Sequence, residues 1–258
     1  MPGNDILIST KCLTKTFEGI IALDRIDISV KHGSIHGLIG PNGAGKTTFF
    51  NVITGLLSAT EGKIFYKLTD ITNFKPEKIT KNGISRTFQA GRLIGGMTVL
   101  ENVLVGAHPN SHLDLIGTFF RLPFTISKQE KKLKERSMEL LDLVGMSRSV
   151  NKGAEDLVWV ERQLVQIARA IAAEPELLLL DEPTGGMGEE ESYRIAEIIK
   201  KVRSDRRITV ILVAHDMKLV LGISDRITCM NFGRVIFEGS PVEVQNDQNV
   251  LEAYLGKE

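Results

Sequence analysis

Apolar and polar residues alternate along Ile6 to Leu13 and again along Ile26 to Lys31, the period of a strand with one buried face. Ile35 to Ile39 is more continuously apolar, as in a strand covered on both sides. Residues 62–66 (Gly-Lys-Ile-Phe-Tyr) add another strand and Ser85 to Gln89 a further short one. The period then changes. Residues 90–176 read as mainly helical: leucines and Met138 recur at helical spacing over Lys128 to Val144, and a second helix covers Glu161 to Ala173, stopping near Pro175. Strand signals return at Leu177 to Leu180, Ile208 to Ala214, Ile227 to Asn231 and Arg234 to Phe237, with a helix over Glu190 to Arg203. The simplest organisation is an α/β core made of residues 1–89 and 165–258, interrupted by a helical insert over 90–164.

Residues 40–47, Gly-Pro-Asn-Gly-Ala-Gly-Lys-Thr, leave the apolar strand and lead into a helix-like Thr48 to Leu57. This G-x-x-x-x-G-K-[ST] pattern lets backbone N–H groups converge on one anion. Lys46 adds a point charge for the terminal phosphates, and Thr47 offers a hydroxyl to Mg²⁺. Gly40, Pro41, Asn42, Gly43, Ala44, Gly45, Lys46, Thr47 and Thr48 are therefore the expected cradle for ATP, within a P-loop NTPase (RecA-like) core that carries an antiparallel β subdomain at its N-terminus and the helical insert. Far along the chain, Leu177 to Leu180 end in Asp181 and Glu182. Behind a phosphate loop, the first carboxylate suits Mg²⁺ and the second suits the base that polarises the attacking water.

Composition narrows the partners. The 258 residues carry 32 Lys plus Arg against 32 Asp plus Glu, so no global field attracts nucleic acid or anionic lipid, and no nucleic-acid partner is expected. Cys12 and Cys229 are far apart, which predicts a reduced chain without a disulfide. The N-terminus lacks the pattern of a secretory signal and no apolar run is long enough to span a bilayer, so any membrane role is expected to be peripheral.

With these blocks in place, the chain resembles the ATP-binding cassette ATPases of membrane transporters over nearly its whole length. Gln89 matches the family's Q-loop glutamine in the setting Arg86-Thr87-Phe88-Gln89 followed by Met97-Thr98-Val99-Leu100-Glu101-Asn102-Val103. The resemblance implies that it touches Mg²⁺ and water and faces the permease. His215 matches the switch histidine at the γ-phosphate, whereas His32, His36, His108 and His112 read as satisfied or solvated. Phe17 matches the aromatic that stacks on adenine, a position a core phenylalanine would also fit.

The likeness is closest to the ATPases of branched-chain amino-acid uptake. It is carried by Val103-Leu104-Val105-Gly106-Ala107-His108 with Phe119-Phe120-Arg121-Leu122-Pro123, and by the tail Val250-Leu251-Glu252-Ala253-Tyr254-Leu255-Gly256. Lipopolysaccharide-export ATPases share the tail style and usually lack the middle insertion. The resemblance implies ATP hydrolysis coupled to solute import, integral-membrane permease partners, a second cassette, and a cytoplasmic position on the inner face of the cell membrane. One departure stands out. Where the family has Leu-Ser-Gly-Gly-Gln before Ile167-Ala168-Arg169-Ala170, this chain has Leu157-Val158-Trp159-Val160-Glu161, so Val158 replaces the serine and Val160 the glycine. That change implies a heterodimer rather than a homodimer. A weakly catalytic structural half of a cassette pair is the alternative. The loop Thr184-Gly185-Gly186-Met187-Gly188 also departs, with glycine where the family often has Asp or Asn.

Overall fold

Five short strands form the centre of the protein in the computed structural model, which describes residues 5–87, 93–107 and 128–255. They are β4 (Ile35–Ile39), β7 (Ile84–Arg86), β8 (Leu177–Asp181), β9 (Thr209–Val213) and β10 (Arg226–Asn231). With β11 (Arg234–Gly239) they make a sheet in the order β11-β10-β4-β9-β8-β7, parallel except for the β10–β11 hairpin. All residues of β4, β8 and β9 are buried, which is why these strands read as apolar runs instead of alternating. The sheet separates two cores. Ile35, Leu178, Leu180, Val210 and Leu212 face the helical side, whereas Leu38, Leu177, Leu179, Ile211 and Val213 face the other.

The second face is covered by the N-terminal sheet and by α1 (Lys46–Ile53), whose Phe49 and Phe50 are fully buried there. That sheet is antiparallel: β1 (Ile6–Phe17) pairs with β2 (Ile20–Ile26), β3 (Ser29–Lys31) and β5 (Glu61–Tyr66), and β5 with β6 (Thr69–Asp70). Of the strand expected over Ile26 to Lys31 only Ile26, the last residue of β2, and β3 are strand, and the rest of β2 was not expected from the sequence. At the break the Asp27 carboxylate accepts the Cys12 N–H at 2.6 Å, beside a register shift in β1 where Cys12 itself sits at φ 47°. A local side-chain acceptor here takes the place of a ladder bond.

On the helical side lie α3 (Val99–Gly106), α4 (Lys128–Leu143), α5 (Trp159–Ala172), α6 (Glu189–Arg206), α7 (Met217–Ile223), α8 (Pro241–Asn246) and α9 (Gln248–Leu255), while α2 (Pro76–Lys81) packs near β7. Helix α3 begins with a capping box. The Thr98 hydroxyl accepts from Glu101 N and the Glu101 carboxylate accepts from Thr98 N. One turn on, Asn102 clips the preceding loop, accepting from Ile94 N at 2.7 Å and donating to Ile94 O at 3.2 Å. Val99, Val103, Leu140 and Leu141 share one continuous core with the sheet's β8 and β9.

A polar chain, buried at His36 and Thr228 and open to solvent at Arg226, crosses β4, β10 and β11. His36 Nε2 lies 2.8 Å from the Thr228 hydroxyl, which donates to Glu238, and Glu238 pairs with Arg226. Burial lowers the His36 pKa from 6.5 to about 4; Glu238 opposes the shift and Arg226 adds to it. The folded protein thus binds this proton less readily than the unfolded chain. Stability is intact above the unfolded value near 6.5 and falls as pH drops from there toward 4, by at most about 3 kcal/mol from this group. Thermal melts at pH 7 and pH 5 in parent and His36→Gln should show the parent losing more Tm on acidification; equal losses would remove His36 from this role.

Candidate functional site

The three segments singled out from the sequence leave adjacent strand ends. Residues 40–47 follow β4, His215 follows β9 and Asp181-Glu182 close β8, all at the carboxyl edge of the parallel sheet, where α/β folds place their ligands.

The loop after β4 is shaped by its glycines. Gly40 has φ 152°, and a Cβ there would stand 2.1 Å from the Met230 carbonyl; Gly45 has φ 100°, and its Cβ would meet the Ala22 carbonyl at 2.6 Å. Gly45 also caps α1, with no side-chain cap and no acidic residue in the first turn. The first N–H groups of a helix have no partners within it, so this end offers donors to an anion. Lys46 is almost buried, and its ammonium donates to the carbonyls of Gly40 at 2.6 Å and Pro41 at 3.0 Å. Burial lowers its pKa, while the carboxylates of Glu182 and Asp181 push it back up, so all three charged groups share one field. Thr47 is exposed and Thr48 half-buried at the mouth of the loop.

Asp181 is held by a residue the sequence did not single out. Arg86 donates to Asp181 Oδ2 at 2.7 Å and to Asn51 Oδ1 at 2.6 Å, with both members of the ion pair buried. Removing one partner of such a pair costs a fold about 3–5 kcal/mol, so Asp181 has a structural part to play. The other oxygen, Oδ1, is buried with no hydrogen-bond partner among the described residues. A buried carboxylate oxygen left in that way fits Mg²⁺ or a water in its shell.

Glu182 sits at φ 49°, a left-handed conformation that costs a non-glycine residue about 1–2 kcal/mol. It is held there because its N–H bonds Val213 O at 2.8 Å, extending the β8–β9 ladder by one residue. The strain turns the carboxylate toward β9, where Glu182 Oε1 lies 2.7 Å from His215 Nε2. A carboxylate only accepts, so the tautomer with its proton on Nε2 is the one that makes this contact a hydrogen bond to Glu182 as a carboxylate. The second carboxylate oxygen remains to accept a proton from water. Asp216 caps α7 by accepting from Leu219 N at 3.2 Å, which fixes the turn on which His215 is carried.

Phe17 ends β1 at the tip of the β1–β2 hairpin, 40% exposed, with Lys15 Nζ 4.9 Å from its ring centroid. The same hairpin approaches the phosphate loop through Ala22, whose carbonyl a Cβ at Gly45 would meet. Gln89 lies outside the described residues.

Val158 and Val160 differ in setting. Val158 is 61% exposed at the start of α5, whereas Val160 is buried in the helical-side core. Between them Trp159 Nε1 donates to Gly185 O at 2.9 Å, and Gly185 N bonds Glu182 O at 3.1 Å. The segment is thereby tied to the carboxylate loop of its own chain.

Comparison with known proteins shows the family. The family profile described as ABC transporter matches residues 23–185, and one described as branched-chain amino acid ATP-binding cassette transporter matches residues 234–258. The chain is 36% identical to the high-affinity branched-chain amino acid transport ATP-binding protein LivG of Salmonella typhimurium, over 97% of this chain and 98% of that protein. It is 35% identical to the probable branched-chain amino acid transport ATP-binding protein LivG of Archaeoglobus fulgidus, over 97% and 95%. Among solved structures, the ADP conformation of the ATP-binding cassette MJ1267 superposes with a TM-score of 0.83 at 31% identity, covering 98% of this chain and 99% of that one. The dimeric post-hydrolysis state of the cassette MJ0796, bound to ADP and Pi, gives a TM-score of 0.74 at 29% identity, covering 91% and 99%.

Proposed function

We propose that this chain, which belongs to the ABC transporter family and is the ATP-binding, ATP-hydrolysing subunit of such a transporter, drives uptake of a branched-chain amino acid or a similar small solute. The match of residues 234–258 to the branched-chain profile carries the solute class. Lipopolysaccharide export is the reading it displaces. Among the described residues no helix is long and apolar enough to cross a membrane. In this reading permease subunits carry the path for solute, and this chain attaches to their cytoplasmic face. Residues 1–89 and 165–258 serve as the nucleotide-binding core, and 90–164 as the unit that meets permease and partner. A groove of about 310 Å³ where α2, β7, α3 and α5 meet, walled by Ile79, Val105 and Ala170, suits a permease's short cytoplasmic helix. Purification with the permease subunits, followed by leucine-stimulated ATPase activity in reconstituted vesicles, tests this. Turnover indifferent to every branched-chain amino acid, with the binding protein present, would overturn the solute class.

In the site itself, residues 40–48 bind the phosphates, Lys46 neutralises the terminal ones and Phe17 stacks on the base. Thr47, Asp181 and Gln89 would hold Mg²⁺, which would supply positive charge against the transferring phosphoryl group. Glu182 takes the proton of the attacking water. His215 holds Glu182 in place and presents its ring to the terminal phosphate.

The second cassette is more readily a different chain than a copy. In a homodimer Val158 would lie over both nucleotides, where a serine hydroxyl bonded to phosphate would contribute about 1.5–3 kcal/mol. A partner with an intact signature completes the site built on this chain's Lys46 and Glu182. Because Val160 is packed in the core, its replacement by glycine opens a cavity, and Val158→Ser alone is the clean probe. That variant should raise the ATPase rate of the isolated chain about tenfold. A parental chain already as fast as the variant would sink the heterodimer argument.

A further inference from the structure

The phosphate loop is gripped by a residue from the far end of the chain. Gly40 N donates to the Tyr254 hydroxyl at 2.8 Å, across 214 positions of sequence. Tyr254 stands near the end of α9. That helix is capped by Asp247, whose carboxylate accepts from Val250 N at 3.1 Å, and seated by Val250, which is buried in the helical-side core. Beside this contact lies a cavity of about 660 Å³ lined by Pro41, Asn42, Asn249 and Glu252, and the Tyr254 hydroxyl joins helix to loop. Burial pushes the phenol up to about 12, which keeps it a neutral hydroxyl at any physiological pH.

The Tyr254 hydroxyl acts on an amide that does not compete with a phosphate. Of the loop's N–H groups, that of Gly40 is taken by Tyr254 and that of Ala44 by Pro41 O at 3.2 Å. The donors of the uncapped first turn of α1 remain for the anion. Gly40 is also the residue whose carbonyl accepts from Lys46 Nζ. Holding the Gly40 N–H from the α9 side therefore constrains, across two backbone torsions of the same residue, the carbonyl that anchors the ammonium. Preorganising a loop in its binding form raises affinity by sparing the ligand the cost of ordering it.

The geometry points to Tyr254 as a positioning residue for the ATP site, which makes the C-terminal helix part of the nucleotide-binding machinery. This rests on residues 40–47 being the phosphate cradle. By reciprocity, whatever α9 contributes to ATP affinity, ATP returns as ordering of α9.

Tyr254→Phe keeps the ring and removes only the hydroxyl. Equilibrium ATP binding and steady-state hydrolysis should show Kd and KM raised about tenfold, the effect of leaving one buried amide without its acceptor, with kcat at saturating ATP changed less than about twofold. In the parent, ATP should slow hydrogen exchange at the amides of residues 248–255; in the variant that protection should be lost. Lys46→Ala measured in parallel separates the two levels of the argument. If Lys46→Ala loses ATP while Tyr254→Phe binds within about threefold of the parent, or keeps the exchange protection, the role of Tyr254 is overturned and the cradle stands. If Lys46→Ala binds as the parent does, the cradle fails and the role of Tyr254 falls with it.

Discussion

A Glu182→Gln variant is expected to bind ATP as tightly as the parent and to hydrolyse it roughly two to four orders of magnitude more slowly, the range supplied by a positioned general base. The amide is isosteric, and its oxygen still accepts from His215 Nε2, so the 2.7 Å contact and the strained backbone at φ 49° have no reason to change. What disappears is the ability of the second oxygen to take a proton from water at neutral pH. Single-turnover release of phosphate, measured beside equilibrium binding of labelled ATP, separates chemistry from affinity. A variant that turns over at the parental rate would remove Glu182 from the role of base.

Lys46→Ala is expected to weaken ATP binding at least about 100-fold. Charge-assisted bonds to phosphate contribute about 1.5–3 kcal/mol each, and this ammonium is also tied to the carbonyls of Gly40 and Pro41. Its removal takes away the loop's own side-chain cation and an internal brace together. The fold should tolerate the change, because burial already works against the charged form and the methyl of alanine leaves no charge behind. Calorimetric titration with ATP checks the loss, and a melting temperature within a few degrees of the parent checks that the loss is local. Unchanged affinity would end the assignment of this loop to phosphate.

The parts of this site that were legible in the sequence are those whose chemistry is contiguous. A phosphate loop needs glycines and a lysine at fixed spacing because one backbone turn makes it, and a strand buried on both faces shows itself as an apolar run such as Leu177 to Leu180. Arg86 was quoted for its neighbourhood to Gln89 and not for its own role. Its partners Asn51 and Asp181 come from other elements, and nothing in a one-dimensional pattern brings a strand, a helix and a strand tip together. Tyr254 was read as part of a tail motif, and its contact with Gly40 depends on how α9 lies against β11, which no local period encodes. The elements β2, β6, α2, α7 and α8 also escaped notice. The turn into β6 is made by Lys67 and Leu68, both at positive φ with ordinary side chains, where turn chemistry would favour Gly or Asn. Helices α2 and α7 are six and seven residues long, too short for a 3.6-residue period to repeat visibly.

The parallel sheet that separates the two cores also determines how the molecule can come apart. Val103 of α3 and Leu140 of α4 pack in the same cluster as Leu178 and Leu212, and on the reverse face Phe49 and Leu13 pack with Leu179 and Ile211. Neither the helical segment nor the N-terminal sheet has a private interior, so each would expose half of a hydrophobic layer if cut away. Loosening therefore has to begin at the margins that lean on no layer, such as the β1–β2 tip with its open Ile20 and Ile21, while β4, β8 and β9 open last. The strands that carry the phosphate loop, the carboxylates and the histidine are thus the slowest part of the molecule to melt, and a load applied to the helices reaches the strand ends through a partition too stiff to absorb it.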